Sequence, residues 1–168
     1  SYVKALYKDG IVSGITETQF GPDLSMKRCD FVLMLYRAAG SPSVSEGAGF
    51  ADVPDSAYYA SAVAWAYANG ITEGKGEGLF APQDTLTRQE GFTFLYRALK
   101  TLGVSYTDAD ASLLSRFPDA ASVASWAQTP TATLISLGIV DGSDSGLAPA
   151  GSLTRAQMAK MLQMAREM

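Results

Sequence analysis

The stretch GITEGKGEGLFAPQDTLTRQEGFTFLYRAL, residues 70–99, is one of three similar segments in this chain of 168 residues. The segment GIVSGITETQFGPDLSMKRCDFVLMLYRAA, residues 10–39, aligns with it without a gap at an offset of 60 residues. A third segment, GIVDGSDSGLAPAGSLTRAQMAKMLQMA, residues 138–165, aligns after a one-residue deletion. Repetition at this interval predicts a structure built from three similar units.

A second shared stretch precedes two of the three segments. FADVPDSAYYASAVAWAYANGI begins at Phe50 and FPDAASVASWAQTPTATLISLGI begins at Phe117, which places Tyr58 opposite Trp126, each twelve residues before the glycine. Only SYVKALYKD stands before the first segment, so the first unit lacks its front end. We expect units at residues 1–40, 50–103 and 117–168. Because Ser1 is not a methionine, we also expect the chain to be a piece of a larger protein.

Each complete unit has the pattern helix, loop, helix. In the second unit, apolar residues recur at helical spacing from Val63 to Tyr67, and Gly70 follows as a left-handed C-cap. Glycine and proline fill the loop. The second helix begins at a capping box, in which Thr87 caps the helix and Glu90 reaches back to the cap amide.

A helix pair of this length cannot bury its own apolar face, so we expect the three pairs to pack around a common axis. The second helix of unit two carries such a face at Phe92, Leu95, Tyr96 and Leu99. The linkers fall at residues 40–49 and 103–116, the second with a short helix near Ser112. The predicted fold is all-α, with one shared core in one compact unit.

Composition excludes several classes of function. A net charge of −4 leaves no basic stripe for nucleic acid, and no apolar run approaches the roughly 20 residues that span a bilayer. One cysteine and no histidine exclude an internal disulfide, a catalytic triad with histidine, and zinc sites of the histidine or CxxC type. We expect no cofactor and no metal.

DGSDSG, residues 141–146, is similar to the start of an EF-hand calcium loop. A loop that begins at Asp141 places Ser152 where a bidentate glutamate is required. We therefore predict no calcium site there.

The order of these motifs resembles the S-layer homology family, the modules with which bacteria hold exported proteins on the cell wall. The shared features are the FADV and FPDA openings, an aromatic residue about eight positions later, GI-x-x-G, F-x-P, and LTRQE or LTRAQ where the family has Thr-Arg-Ala-Glu. The resemblance covers essentially the whole chain, and three tandem copies are the usual arrangement.

This resemblance implies a pseudo-threefold helical spindle. It also implies grooves between the lobes that bind secondary cell-wall polysaccharide, often with a pyruvate ketal, at the bacterial cell surface. The chain would then be part of a larger exported protein.

The three units depart from the family pattern in different ways. Unit one has Lys27 in place of the capping threonine, and unit three has Gln157 for the glutamate and Leu147 for the aromatic residue. We therefore expect the three grooves to be unequal.

An arginine opens the second helix of each unit: Arg28, Arg88 and Arg155. The helix dipole disfavours a cation at this position by roughly a few tenths of a kcal/mol. A solvated or ion-paired arginine is the simpler interpretation, but the recurrence favours contact with an anionic sugar. The guanidinium can hold a carboxylate through two hydrogen bonds, and the free amides of the same helix start would face the same anion.

Two further groups are candidates for ligand contact. Gly14, Gly74 and Gly142 follow the C-caps, either as plain turn residues or as positions where a ligand approaches the backbone. Tyr58 and Trp126 either stack on a sugar face or belong to the core.

The last candidates are polar. Asp52 and Asp119 either accept hydrogen bonds from sugar hydroxyls or serve as N-caps and turn residues. Lys27, beside Arg28, would add positive charge to an anion site.

Binding of cell-wall carbohydrate is the leading functional prediction, and a protein–protein module in a surface assembly is the alternative. Arginines in concave grooves with an aromatic residue nearby would favour sugar, whereas a flat apolar-rimmed face would favour protein. A glycosidase could use paired carboxylates among the 17 acidic residues, but none recurs in a setting suited to a general acid. We therefore expect no enzymatic activity.

Overall fold

The computed structural model describes residues 1–142 and 146–168, so the DGSDSG stretch that was considered for calcium lies partly outside the described residues. The described elements are predominantly helical, which confirms the all-α class. The helices are α1 (Tyr2–Lys8), α2 (Arg28–Ala38), α3 (Ala60–Ala68), α4 (Arg88–Ala98), α5 (Ser125–Ser136) and α6 (Arg155–Arg166). Two 3₁₀ helices, Ala111–Arg116 and Ala120–Ser122, precede α5. None of the described helices has the length and apolar character needed to cross a membrane.

Two of the three second helices begin with the predicted capping box. The Thr87 hydroxyl accepts from the Glu90 amide at 3.3 Å, and the Glu90 carboxylate accepts from the Thr87 amide at 2.9 Å. Thr154 and Gln157 form the same pair of bonds at 3.2 and 3.1 Å. The side chain of Lys27 caps nothing among the described residues. A glutamine therefore closes this box as well as a glutamate does.

The first helix of each unit ends as predicted, in a Schellman motif. Gly10, Gly70 and Gly138 have φ of +71°, +67° and +73°, values that favour glycine because it has no Cβ. In unit two, the amide of Ile71 donates to the Ala66 carbonyl at 2.8 Å, which turns the chain out of the helix.

The three units meet at a ring of backbone hydrogen bonds just before the second helices. The amide of Met26 donates to Leu153, that of Leu153 to Leu86, and that of Leu86 to Met26, at 2.7, 3.1 and 2.8 Å. All three side chains are fully buried. This closed ring marks the pseudo-threefold axis.

The pairing of helices differs from the expectation of one pair within each unit. The first helix of a unit packs mainly on the second helix of the preceding unit: α3 on α2, α5 on α4, and α1 on α6. The rings of Tyr36 in α2 and Trp65 in α3, for example, lie 5.7 Å apart. The loop of residues 69–87 connects the α2–α3 pair to the α4–α5 pair. One continuous hydrophobic core is shared by the helix pairs.

The core predictions hold with two exceptions. Phe92, Leu95 and Leu99 are buried, whereas Tyr96 is only partly buried and donates from its hydroxyl to Asp108 at 2.9 Å. Tyr67 is 50% exposed, because it lies on the outer side of α3.

Candidate ligand-binding grooves

The arginine that opens each second helix connects two units. Its Nε donates a hydrogen bond to a backbone carbonyl in the loop of the following unit, counted around the ring. The three bonds run from Arg28 to Phe80 (2.9 Å), from Arg88 to Leu147 (2.9 Å) and from Arg155 to Phe20 (3.0 Å). Each arginine therefore has a structural role at the interface between units.

The amides at the start of each second helix are already bonded. In α2, the amide of Arg28 donates to Asp84 at 2.9 Å and that of Cys29 donates to Pro82 at 3.0 Å. The first two amides of α4 and α6 make equivalent bonds to the neighbouring loops. The expectation that free helix amides face an incoming anion is therefore wrong, because the adjacent unit occupies them.

The three arginines differ in accessibility. Arg28 is only 2% exposed, with its guanidinium 4.9 Å from the Phe80 ring centre and 5.1 Å from that of Phe94. Burial lowers the pKa of Arg28, and the nearby Glu90 carboxylate opposes that shift. Arg88 and Arg155 are half-buried. They remain reachable from solvent, and Arg28 does not.

Three grooves lie at equivalent places around the axis. Each is bounded by the Gly-Ile loop and the second helix of one unit, together with the arginine of the preceding unit around the ring. We name them after the unit that provides the loop: groove A for unit one, groove B for unit two and groove C for unit three.

Groove A encloses about 270 Å³ and contains Ser13, Gly14, Asp30, Arg37, Tyr58 and Arg155. Tyr58 is 65% exposed, and its hydroxyl donates to Asp30 at 2.6 Å, which joins unit two to unit one. Although the ring is exposed, partial desolvation and the hydrogen bond to Asp30 raise the pKa of Tyr58 above its ordinary value. Nη2 of Arg155 donates to the Ser13 carbonyl at 2.8 Å. The Arg37 guanidinium has no hydrogen-bond or ion-pair partner among the described residues.

Groove B encloses about 470 Å³ and contains Arg28, Gly74, Lys75, Glu90, Arg97 and Trp126. Nζ of Lys75 lies 2.7 Å from the Glu90 carboxylate, and Nη1 of Arg97 donates to the Ile71 carbonyl at 3.3 Å. Trp126 is 49% exposed. Tyr58 and Trp126 therefore occupy equivalent positions in two grooves, and neither belongs to the core.

Groove C is smaller, about 200 Å³, and contains Arg88, Asp141, Gln157 and Lys160. Lys160 pairs with Asp141 at 3.0 Å. Among the described residues, the lining of groove C includes Phe92 but no exposed aromatic ring. The grooves thus differ in charge pairing, and grooves A and B differ in their exposed aromatic residue.

The two candidate aspartates bind the backbone amides of loops. The Asp52 carboxylate accepts from the amides of Phe80 and Ala81 at 2.9 and 2.7 Å, and Asp119 accepts from those of Leu147 and Ala148. These are the loops to which Arg28 and Arg88 also bind. Both carboxylates bind amides 28 or 29 residues away, so their observed role is to hold a distant loop of the same unit, rather than to cap a helix or close a local turn.

Lys27 is exposed, and its Nζ donates to the side chain of Gln83 at 3.0 Å. It is not among the residues that line grooves A, B and C.

The candidate glycines make room for other parts of the protein. A Cβ at Gly74 would lie 2.6 Å from both the Leu79 carbonyl oxygen and the Phe50 ring, and one at Gly142 would clash with the ring of Phe117. Gly14 and Gly74 also line grooves A and B, so their turn role is compatible with the predicted approach of a ligand to the backbone.

Comparison with known proteins agrees with this architecture. The family model described as the S-layer homology domain matches residues 1–32, 49–90 and 116–159. The chain belongs to the S-layer homology domain family. The three matches fall in the three repeated units that meet at the ring of Met26, Leu86 and Leu153.

Relatives of this S-layer homology chain include both enzymes and surface-layer proteins. Exoglucanase XynX of Acetivibrio thermocellus is 33% identical over 95% of this chain and 14% of the relative. Amylopullulanase of Thermoanaerobacterium thermosulfurigenes is 32% identical over 95% of the chain and 8% of the relative. The surface-layer 125 kDa protein of Lysinibacillus sphaericus is 29% identical over 94% and 13%. The chain thus spans a small part of these relatives, and the activities in their names describe those whole proteins.

The sequence analysis of this S-layer homology chain did not predict three groove residues: Asp30, Arg37 and Arg97. Arg37 and Arg97 are identical between units one and two near the end of an apolar helix, and this identity was the available signal. Nothing local to Asp30 predicts its bond to Tyr58.

Proposed function

We propose that this chain is a non-catalytic module that holds an exported protein at the bacterial cell surface by binding an anionic, pyruvylated secondary cell-wall polysaccharide. Groove A is the principal site. The observation that carries the proposal is the presence in one groove of the exposed ring of Tyr58, the half-buried Arg155, and an Arg37 guanidinium that has no partner among the described residues.

The residues of groove A suit an acidic sugar. The hydrogen bond to Asp30 fixes the orientation of the Tyr58 ring before any ligand arrives, which lowers the entropy lost when a sugar stacks on it. Arg37 and the remaining donors of Arg155 can then bind a ketal carboxylate through charge-assisted hydrogen bonds.

A protein–protein role is the alternative, and the position of the arginines bears on the choice. Arg28, Arg88 and Arg155 lie in concave grooves, and in grooves A and B an exposed aromatic ring is part of the lining. This arrangement favours sugar over a protein partner that docks on a flat apolar face.

Calorimetric titration with a short pyruvylated wall saccharide and its depyruvylated twin tests the proposal. We expect the pyruvylated saccharide to bind at least tenfold more tightly than its twin, because its carboxylate adds a charge-assisted contact. We expect Tyr58→Ala to weaken that binding by about tenfold, because it removes the ring on which the sugar stacks. Absence of binding to either saccharide by folded protein would refute the proposal.

A further inference from the structure

Two exposed aliphatic side chains lie together at groove A. Ile15 lines the groove and is 50% exposed, and Leu24 is 49% exposed. A Cβ at Gly21 would lie 2.6 Å from Cδ1 of Leu24 and 3.1 Å from Cδ1 of Ile15, so the two side chains approach each other over this glycine. They form one small apolar surface, which we call the Ile15–Leu24 pair.

The Ile15–Leu24 pair adjoins an arginine of the same groove. The backbone amide of Arg155 donates to the Leu24 carbonyl at 2.9 Å, and its Nη2 donates to the carbonyl of Ser13, two residues before Ile15. The Nε bond to the Phe20 carbonyl, with the guanidinium 4.7 Å from the centre of the Phe20 ring, holds the side chain at this loop. A cation and an apolar surface therefore lie side by side in groove A.

The apolar character of this pair is particular to unit one and is not needed for the shape of the loop. The equivalent residues of unit two are Lys75 and Asp84. The two loops nevertheless turn in the same way, since the amides of Ile15 and Lys75 each donate to the carbonyl four residues further on, at 2.7 and 2.8 Å. Because charged side chains serve the fold equally well, the adjacent exposed aliphatic residues of unit one favour a role in ligand contact.

A pyruvate ketal carries a carboxylate and a methyl group on the same carbon. When the arginines of groove A hold the carboxylate, the methyl group must lie close to them, and burial against an apolar surface is then favourable. We propose that the Ile15–Leu24 pair binds this methyl group and makes groove A prefer a methyl-bearing acidic substituent to one without a methyl group. The inference rests on the proposed function, because it concerns the same sugar in the same groove.

A saccharide with a glyoxylate acetal of the same configuration, which has hydrogen in place of the methyl group, isolates this contact. In calorimetric titration of the wild-type chain, we expect the pyruvate ketal to bind about fourfold more tightly than the glyoxylate acetal, as for burial of one methyl group. In the double variant Ile15→Ala, Leu24→Ala, the pyruvate ketal should lose this advantage, and the affinity for the glyoxylate acetal should stay as in the wild type.

Leu79→Ala is the matched control. Leu79 is an exposed aliphatic residue, 39% accessible, in the loop of unit two, and it is not among the residues that line grooves A, B and C. This variant should keep the fourfold preference for the pyruvate ketal. Far-ultraviolet circular dichroism of all variants checks that each is folded.

The inference is overturned if the wild-type chain binds the two saccharides equally, if the double variant keeps the preference, or if Leu79→Ala loses it as well. In each of these cases an acidic saccharide still binds, so the proposed function stands. Failure of the proposed function has a different signature: the folded wild-type chain would bind neither saccharide, which would refute the function and the inference together.

Discussion

At the scale of single residues, the arginine that opens each second helix acts first as a connector between units. Its Nε bond to the neighbouring loop compensates for an unfavourable position in the helix dipole, because the helix amides beside it are bonded to the same loop. Arg28 is the extreme case, since Phe80, Phe94 and Glu90 surround its guanidinium.

Replacement of Arg28 should therefore cost stability. We expect Arg28→Ala to lower the free energy of unfolding by about 3 kcal/mol, because it leaves the buried Phe80 carbonyl without its donor, removes one of the two cations beside Glu90 and empties the space between the Phe80 and Phe94 rings. Arg37→Ala, in the same helix, should change it by less than about 0.5 kcal/mol. Urea denaturation of both variants measures this, and equal effects would contradict the structural role of Arg28.

Glu90 should make stability depend on pH. Burial works to raise its pKa, but the hydrogen bonds from Lys75 and from the Thr87 amide outweigh it, and the pKa lies below its ordinary value. A lowered pKa in the folded state stabilises the protein above the ordinary pKa of about 4.3, and this contribution is lost as the pH falls through the folded-state pKa.

Urea denaturation between pH 7 and pH 3 checks this dependence. The wild-type chain should lose more free energy of unfolding over this interval than Glu90→Gln, in which the other acids are unchanged. Parallel losses in the two proteins would show that Glu90 is not stabilised as a carboxylate.

At the scale of the helices, local sequence signals predicted where the helices begin and end. They could not predict which helices pack against each other. The boxes at Thr87 and Thr154 and the turn at Gly70 involve residues within a few positions of each other, so the sequence contains the whole motif. The choice of α2 as the partner of α3 depends on the path of the long loop that follows, and no residue within either helix encodes it.

The capping difference between units gives a prediction for α2. We expect Thr87→Ala to destabilise the chain by about 1 kcal/mol, and Lys27→Thr to stabilise it by up to about 1 kcal/mol, since it supplies the hydroxyl that α2 lacks among the described residues. Thermal unfolding of both variants tests the pair. A Lys27→Thr protein no more stable than the wild type would mean that the backbone bonds to the loop already satisfy the helix start.

At the scale of the whole molecule, the three units close into a ring. The first helix packs on the last, Asp9 pairs with Arg166 at 2.8 Å, and the backbone ring at Met26, Leu86 and Leu153 has no free edge. The repeats predicted this shared core, and the substitutions at Lys27 and Gln157 indicated unequal grooves. The pairing of Lys75 with Glu90 in groove B depends on side-chain contacts that only the folded chain brings together.

A closed ring should unfold as one unit, unlike an open array of repeats, whose units can unfold separately. We expect tryptophan fluorescence, which reports on units two and three through Trp65 and Trp126, to follow the same denaturation curve as far-ultraviolet circular dichroism. Two separated transitions would contradict the shared core.

The most direct test of anion binding in groove A is a comparison of two arginines at equivalent positions. Calorimetric titration of the pyruvylated saccharide should show affinity reduced by about tenfold or more in Arg37→Ala, from loss of one charge-assisted hydrogen bond, and changed by less than about twofold in Arg97→Ala. If the two variants bind as the wild type does, or if Arg97→Ala is the one that loses binding, groove A is not the anionic site.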